Sequence, residues 1–309
     1  MASLTDNVVA LRPEALTFEA AARRFLAERD LSPGTRRVYR QTLDELARHL
    51  GADAPLEEVT HQVLADHLAH RYRSVAPSTS NRVLATLQSF FGWCVRRRLL
   101  AEDPTEGLER RRPRRTARQA DTQRAIPYPE LEALWSRRDV ALREKVLWRL
   151  LYETGARANE GLGLNVEDLD LTERSAHIVG KGGHAESIYW ATGSARLLPR
   201  LLGHRTTGPV FLADRLPRIA VAKADLDPTT GRARLSYRRA AQLFSATSGG
   251  RTLHQLRHSS LTHLAEEGVD VALLKAKSRH ASLRSLERYV RPSEASVARL
   301  TADHDRARR

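Results

Sequence analysis

The sequence predicts a mainly α-helical protein of two domains, the second holding one small antiparallel β-sheet, an α+β arrangement. Three observations carry that expectation. At 309 residues the chain exceeds the usual size of a single hydrophobic core. Apolar residues recur at helical spacing over most of its length. Two short β-prone runs flank a glycine-rich turn, without the strand–helix alternation that a parallel sheet needs.

Residues 17–102 read as helices joined by short loops. Ser32 followed by Pro33 is a helix start, and Tyr39, Leu43, Leu46 and Leu50 continue at helical spacing to a stop at Gly51. A further helix covers Val63 to Tyr72. A longer one covers Ser78 to Arg98, with Val83, Leu84, Leu87, Phe90 and Phe91 on one stripe, and Asp103 and Pro104 end it. From Glu109 to Thr122 the apolar period disappears. RRRPRRTAR (110–118) places six arginines in nine residues, and reads as an interdomain linker that is either a solvated charge run or a strip lying along phosphates. The expected units are therefore 17–102, a basic linker 103–122, and 123–309. In the last of these, Tyr128 to Trp135 and Leu142 to Thr154 are helical patterns. His177 to Val179 and Ser187 to Trp190 are strands about the GKGGH turn (180–184), and helices resume after Tyr237.

Charge narrows the partner. The 51 Lys and Arg against 37 Asp and Glu leave a net +14, a field that draws in a polyanion and hinders a partner of its own sign. Nucleic acid is the first candidate, although ribosomal and membrane-surface proteins share such a balance. The single cysteine, Cys94, excludes an intrachain disulfide and sits in an apolar run with Phe90, Phe91, Trp93 and Val95, where a small buried thiol is expected. The first thirty residues lack the pattern of a secretory leader and no run approaches membrane-spanning length, so a cytoplasmic protein with no membrane partner is expected.

Four stretches of the second region set reactive side chains among apolar neighbours. In TGARANEGLGL (154–164) Gly155 ends a helix and Arg157 opens the next element; alone, Arg157 and Glu160 read as an ion pair on one helical turn. Lys181 stands at the tip of the glycine-rich turn, where a lysine offers a mobile cation able to hand over a proton. In HQLRHSSLTHL (254–264), His254 and Arg257 share one helical face above core contacts from Leu253, Leu256, Leu261 and Leu264. An imidazole beside a guanidinium calls for an anion between them, though a packed histidine is an equal reading. His254 and His258 have metal-ligand spacing, but Gln255 occupies the place of a zinc protease's general-base glutamate, so no metal is assigned. In SRHASLRSLERYVRP (278–292), His280 precedes Tyr289. A tyrosine in a helix is usually a core residue, yet it attacks phosphorus once its proton is taken.

Read together, Arg157, Lys181, His254, Arg257, His280 and Tyr289 resemble, in order and with their surrounding text, the catalytic set of the tyrosine recombinases, or phage integrase family. TGARANE resembles the first arginine box, GKGG the lysine hairpin, HQLRH the second box and RYVRP the nucleophile box. LSPGTRRVYRQTLDEL is similar to the second helix of the family's core-binding domain. Two departures stand out. Where the third box usually reads Leu-Gly-His, Lys277, Ser278 and Arg279 precede His280, which alters how that helix packs. The stretch from Asp214 to Leu235 is longer than in compact members.

The resemblance implies a two-domain, C-shaped clamp around double-stranded DNA. It implies a site-specific recombinase that cleaves and rejoins strands through a 3′-phosphotyrosine, with Tyr289 as nucleophile and no cofactor or small-molecule substrate. Arg157 and Arg257 would hold the phosphate with His280, His254 would accept the tyrosine proton and Lys181 would protonate the leaving 5′-oxygen. It also implies a homotetramer on two DNA sites, with the residues after Tyr289 reaching a neighbouring subunit. The rival readings are a type IB topoisomerase-like enzyme, a catalytically silent DNA-binding regulator, and a metal hydrolase built on His254 and His258.

Overall fold

The structure is a computed structural model, and it describes residues 16–51, 53–112, 124–180 and 185–279, with Leu286 and Ala302. The chain divides between residues 115 and 116 into two compact units.

In the first unit α1 (Phe18–Glu28) starts where the Thr17 side chain accepts from the Ala20 amide. α2 (Pro33–Leu50) starts at Ser32, whose hydroxyl accepts from Thr35 with proline at the first position, and ends at Gly51 with φ +101°. These are the boundaries that the Ser-Pro and Gly signals predict, because each satisfies or releases the end groups of a helix. α3 (His61–Tyr72) and α4 (Pro77–Arg96) complete the layer. Apolar faces of α1, α2 and α4 meet in an aromatic core in which Phe90 stands edge-on to Phe18 and Phe25, at 5.3 and 5.4 Å, with Cys94 buried beside it. α4 stops two residues before the predicted Arg98 because Arg98 turns left-handed (φ +57°), which lets Arg98 and Leu99 donate to Val95 and Cys94 as a cap. Beyond it, Asn81 bonds the Arg111 backbone on both sides at 2.8 Å and Arg111 donates to the Tyr72 carbonyl at 2.7 Å. The start of the arginine run is therefore strapped to this unit. Residues 113–118 of that run lie outside the described residues.

The second unit is built around α6 (Leu142–Thr154), which packs against α5 (Tyr128–Ser136), α7 (Ala158–Gly163), α8 (Thr192–Leu202), α9 (Tyr237–Thr247) and α10 (Leu253–Glu266); α11 (Val271–Ser278) rests on α10. Trp148 of α6 is buried edge-on to Phe244 of α9, with centroids 5.2 Å apart. The sheet is antiparallel in the order β1 (Leu169–Asp170), β2 (Ser175–Val179), β3 (Ala185–Tyr189), with Ala176 opposite Ile188 and Val179 opposite Ala185. Burial alternates along β2, so one face of the hairpin meets the core.

The α+β expectation holds, and two elements were not foreseen. β1 has only two residues, too short for periodicity to show. α8 contains Gly193 and Pro199, which depress its helical signal. It is held by tertiary capping instead: the Glu153 carboxylate of α6 accepts from the Ala191 and Ser194 amides at 3.0 and 3.1 Å. The Asp214 to Leu235 stretch is stitched to the body by Arg234, which donates to the Leu162 and Leu164 carbonyls at the end of α7 and pairs with Asp225 at 2.7 Å. Among the described residues no helix is long and apolar enough to cross a membrane.

Candidate active site

Gly155 ends α6 in the left-handed region (φ +61°), and the chain re-enters a helix two residues later with Arg157 as the N-cap of α7. Glu160, in the first turn of that helix, accepts from the Arg157 amide at 2.8 Å and from its guanidinium at 2.6 Å. The ion pair expected on this turn is present, but it is not a surface pair: the Glu160 side chain is 9% exposed and that of Arg157 39%. Burial alone would raise the Glu160 carboxyl. The hydrogen bonds from Arg157, joined by the nearby charge of Arg279, outweigh it and hold the group below the usual carboxylate range.

α10 brings the second box. Its N-terminus is closed by Thr252 and Gln255, with the Thr252 amide donating to the Gln255 side chain at 2.8 Å. His254, in the first turn, is exposed. Arg257, one turn on, is buried, and its guanidinium donates to the carbonyl oxygens of Gly155 and Ser278. Leu253, Leu256 and Leu261 are buried as predicted and Leu264 is half-buried. Ser259 on the same helix accepts from the Ile126 amide at 2.8 Å, which fixes the chain as it enters this unit.

The third box follows α11. Ser278 is buried, and Arg279 closes the helix in a left-handed conformation with φ +54°. The Arg279 guanidinium donates to Glu160 at 2.6 Å and lies 3.1 Å from Glu186 of β3. Beside it the half-buried Lys277 ammonium is lowered from its ordinary value, by burial and then by Arg279, with Glu153 opposing. Leu286 is buried against Leu261 of α10 and Val271 of α11.

Of the six predicted site residues, Arg157, His254 and Arg257 are described; Lys181, His280 and Tyr289 lie outside the described residues. By covalent adjacency, Lys181 follows Gly180 at the end of β2 and His280 follows Arg279. Among the described residues no three His, Cys, Asp or Glu side chains gather as a metal-binding group. Sequence reasoning overlooked Glu186, which carries no motif, and named Ser278 only as part of the third-box departure. It noted Arg279 as a departure without assigning it partners. Chemically the arrangement supplies two fixed guanidinium groups from separate stretches of chain, suited to a tetrahedral oxyanion.

Comparison with known proteins finds relatives of both units. Residues 127–296 match the phage integrase family, and residues 23–98 match the phage integrase N-terminal SAM-like domain. The chain is 32% identical over 288 residues to tyrosine recombinase XerC of Mycobacterium tuberculosis, covering 88% of this chain and 92% of the relative. It is 32% identical over 301 residues to the XerC of Mycobacterium sp. strain KMS, covering 91% and 94%. Among solved structures, the Tn1549 transposon integrase in complex with circular intermediate DNA superposes with a TM-score of 0.65 at 15% identity, covering 93% of this chain and 99% of that one. A lambda integrase dimer bound to a COC′ core site gives 0.66 at 15% identity, covering 87% and 97%. At that identity these two likenesses concern the fold. The fold and the matched family define a site-specific DNA recombinase of the integrase class. The chain belongs to the phage integrase family, and its activity is that of a tyrosine recombinase.

Proposed function

We propose that the protein cleaves and rejoins double-stranded DNA at a specific site through a 3′-phosphotyrosine on Tyr289. The observation that supports this most is the framework shared by the two arginine boxes. Arg257 is bonded to the carbonyl of Gly155, two residues before Arg157, and to that of Ser278, two before His280. A guanidinium has five donors, so it can be oriented by carbonyls and still face an anion.

In this reading Arg157 and Arg257, with His280, bind the scissile phosphate and stabilise the charge that concentrates as the nucleophile adds. The Tyr289 oxygen attacks phosphorus and gives its proton to His254. The bond from phosphorus to the 5′-oxygen breaks and Lys181 protonates that oxygen. Attack of another strand's 5′-hydroxyl on the phosphotyrosine reverses the step, so no nucleotide is consumed. The SAM-like unit, residues 17–102, and the catalytic unit, residues 123–309, would contact DNA together, with the arginine-rich linker 103–122 between them. Recombination would proceed in the cytoplasm as a homotetramer on two sites, with the residues after Tyr289 reaching a neighbouring subunit.

The experiment is covalent trapping. Wild type and Tyr289→Phe are incubated in EDTA with nicked duplexes carrying a site selected from random DNA by binding. A denaturant-resistant adduct with wild type alone is expected, and an adduct retained by Tyr289→Phe overturns the nucleophile. Removal of residues 293–309 should abolish recombination and spare single-site binding; unimpaired recombination overturns the role of the tail.

A further inference from the structure

Arg279 stands where nothing local favours an arginine. It ends α11 at φ +54°, a conformation that disfavours most side chains and suits glycine or, less well, asparagine. Its side chain is nevertheless turned inward and only 7% exposed. A guanidinium withdrawn from water needs counter-charge, and this one has two carboxylates from separate stretches: Glu160 at 2.6 Å and Glu186 at 3.1 Å. It also donates to the Lys277 carbonyl at 3.1 Å.

Each carboxylate leads to a different part of the site. Glu160 holds Arg157 by side chain and amide. Glu186 lies opposite Ile178 in the hairpin, with its carboxyl group packed on Gly180, where an added Cβ would stand 2.8 Å from the Glu186 Cδ. Gly180 immediately precedes Lys181.

We propose that Arg279 is a positioning residue for the recombination reaction, joining the Arg157–Glu160 turn and the Glu186–Gly180 hairpin into one framework. The same guanidinium then sets both the phosphate-binding cation and the strand that delivers Lys181. The inference rests on the reading of Lys181 as the proton donor. Loss of Arg279 loosens both carboxylates, whereas a change at Glu186 loosens the hairpin alone.

The test uses two nicked substrates carrying the selected site, one an ordinary phosphodiester and one with a 5′-bridging sulfur. The thiolate leaves without a proton, so the second substrate does not need Lys181. Glu186→Gln alters a partly exposed residue. Arg279→Gly relieves the left-handed backbone, so any loss belongs to the side chain. On the phosphodiester both variants should form adduct roughly 10- to 100-fold more slowly than wild type, the scale of a displaced general acid. On the sulfur substrate Glu186→Gln should recover to within about threefold of wild type, since the need for an acid is gone. Arg279→Gly should recover only partly, because Arg157 has also lost its support.

A thermal melt of each variant reports folding, and if Arg279→Gly does not fold, Glu186→Gln decides the matter alone. Wild-type rates for Glu186→Gln on the phosphodiester, or an equal defect on both substrates, overturn the positioning role and leave the recombinase reading intact. Wild type that forms no adduct with either substrate overturns that reading and the inference with it.

Discussion

The Arg257 guanidinium donates to the carbonyl oxygen of Gly155 at 2.5 Å, joining positions 102 residues apart. With its second bond to Ser278, the side chain closes the polar seam between α6, α10 and α11. Arg257→Ala strands two buried acceptors and should cost about 2–6 kcal/mol, at about 1–3 kcal/mol for each unsatisfied group. Urea unfolding measures it, and an unchanged midpoint would show that the seam relaxes without the arginine.

Glu160 gives a pH signature. Its folded ionisation lies below the unfolded one, so it contributes stability above the unfolded value and loses it as pH falls through the folded value. The urea midpoints of wild type and Glu160→Gln should therefore differ near neutrality, begin to converge below about pH 5 as free glutamate takes up a proton, and go on converging as the pH falls through the lowered folded value. A gap that stays constant over that range would assign the effect to geometry rather than charge.

Gly193 sets two effects against each other. Alanine would gain about 1 kcal/mol in helix propensity. Its Cβ, however, would fall 1.6 Å from Nε of Arg149, which is held by Glu153 and lies over the Trp135 ring at 4.6 Å. Displacing that stack should prevail, and Gly193→Ala is expected to destabilise the protein by about 1–3 kcal/mol in denaturant titration. A stabilised variant would mean that Arg149 moves aside freely.

Cys94 should be chemically silent. It is fully buried among Phe90, Phe91 and Trp93, and burial pushes its thiol up to about 12. Labelling by a thiol reagent should be slow in the folded protein and complete once urea unfolds it. Rapid labelling without denaturant would show that α4 opens locally.

Legibility in the sequence followed the range of the forces involved. α2 was readable because Ser32, Pro33 and Gly51 act on their own neighbours, and the hairpin because glycines bracket Lys181. α8 was not, since its first turn is capped by Glu153 from another helix, a partner that no local pattern contains. At the site, Arg157 and Arg257 stood out through their motifs. The carboxylate at 186 was silent, because its significance lies in a contact with position 279 that only the fold creates.

That contact bears on how such chains diverge. An arginine at 279 without an acid at 186 would be a withdrawn cation short of one counter-ion, and an acid there facing a small residue would lose its cation. Neither change is comfortable alone, so the two positions should be inherited as a unit. A substitution that looks like damage to a motif when its column is scored alone becomes one half of a heritable pair.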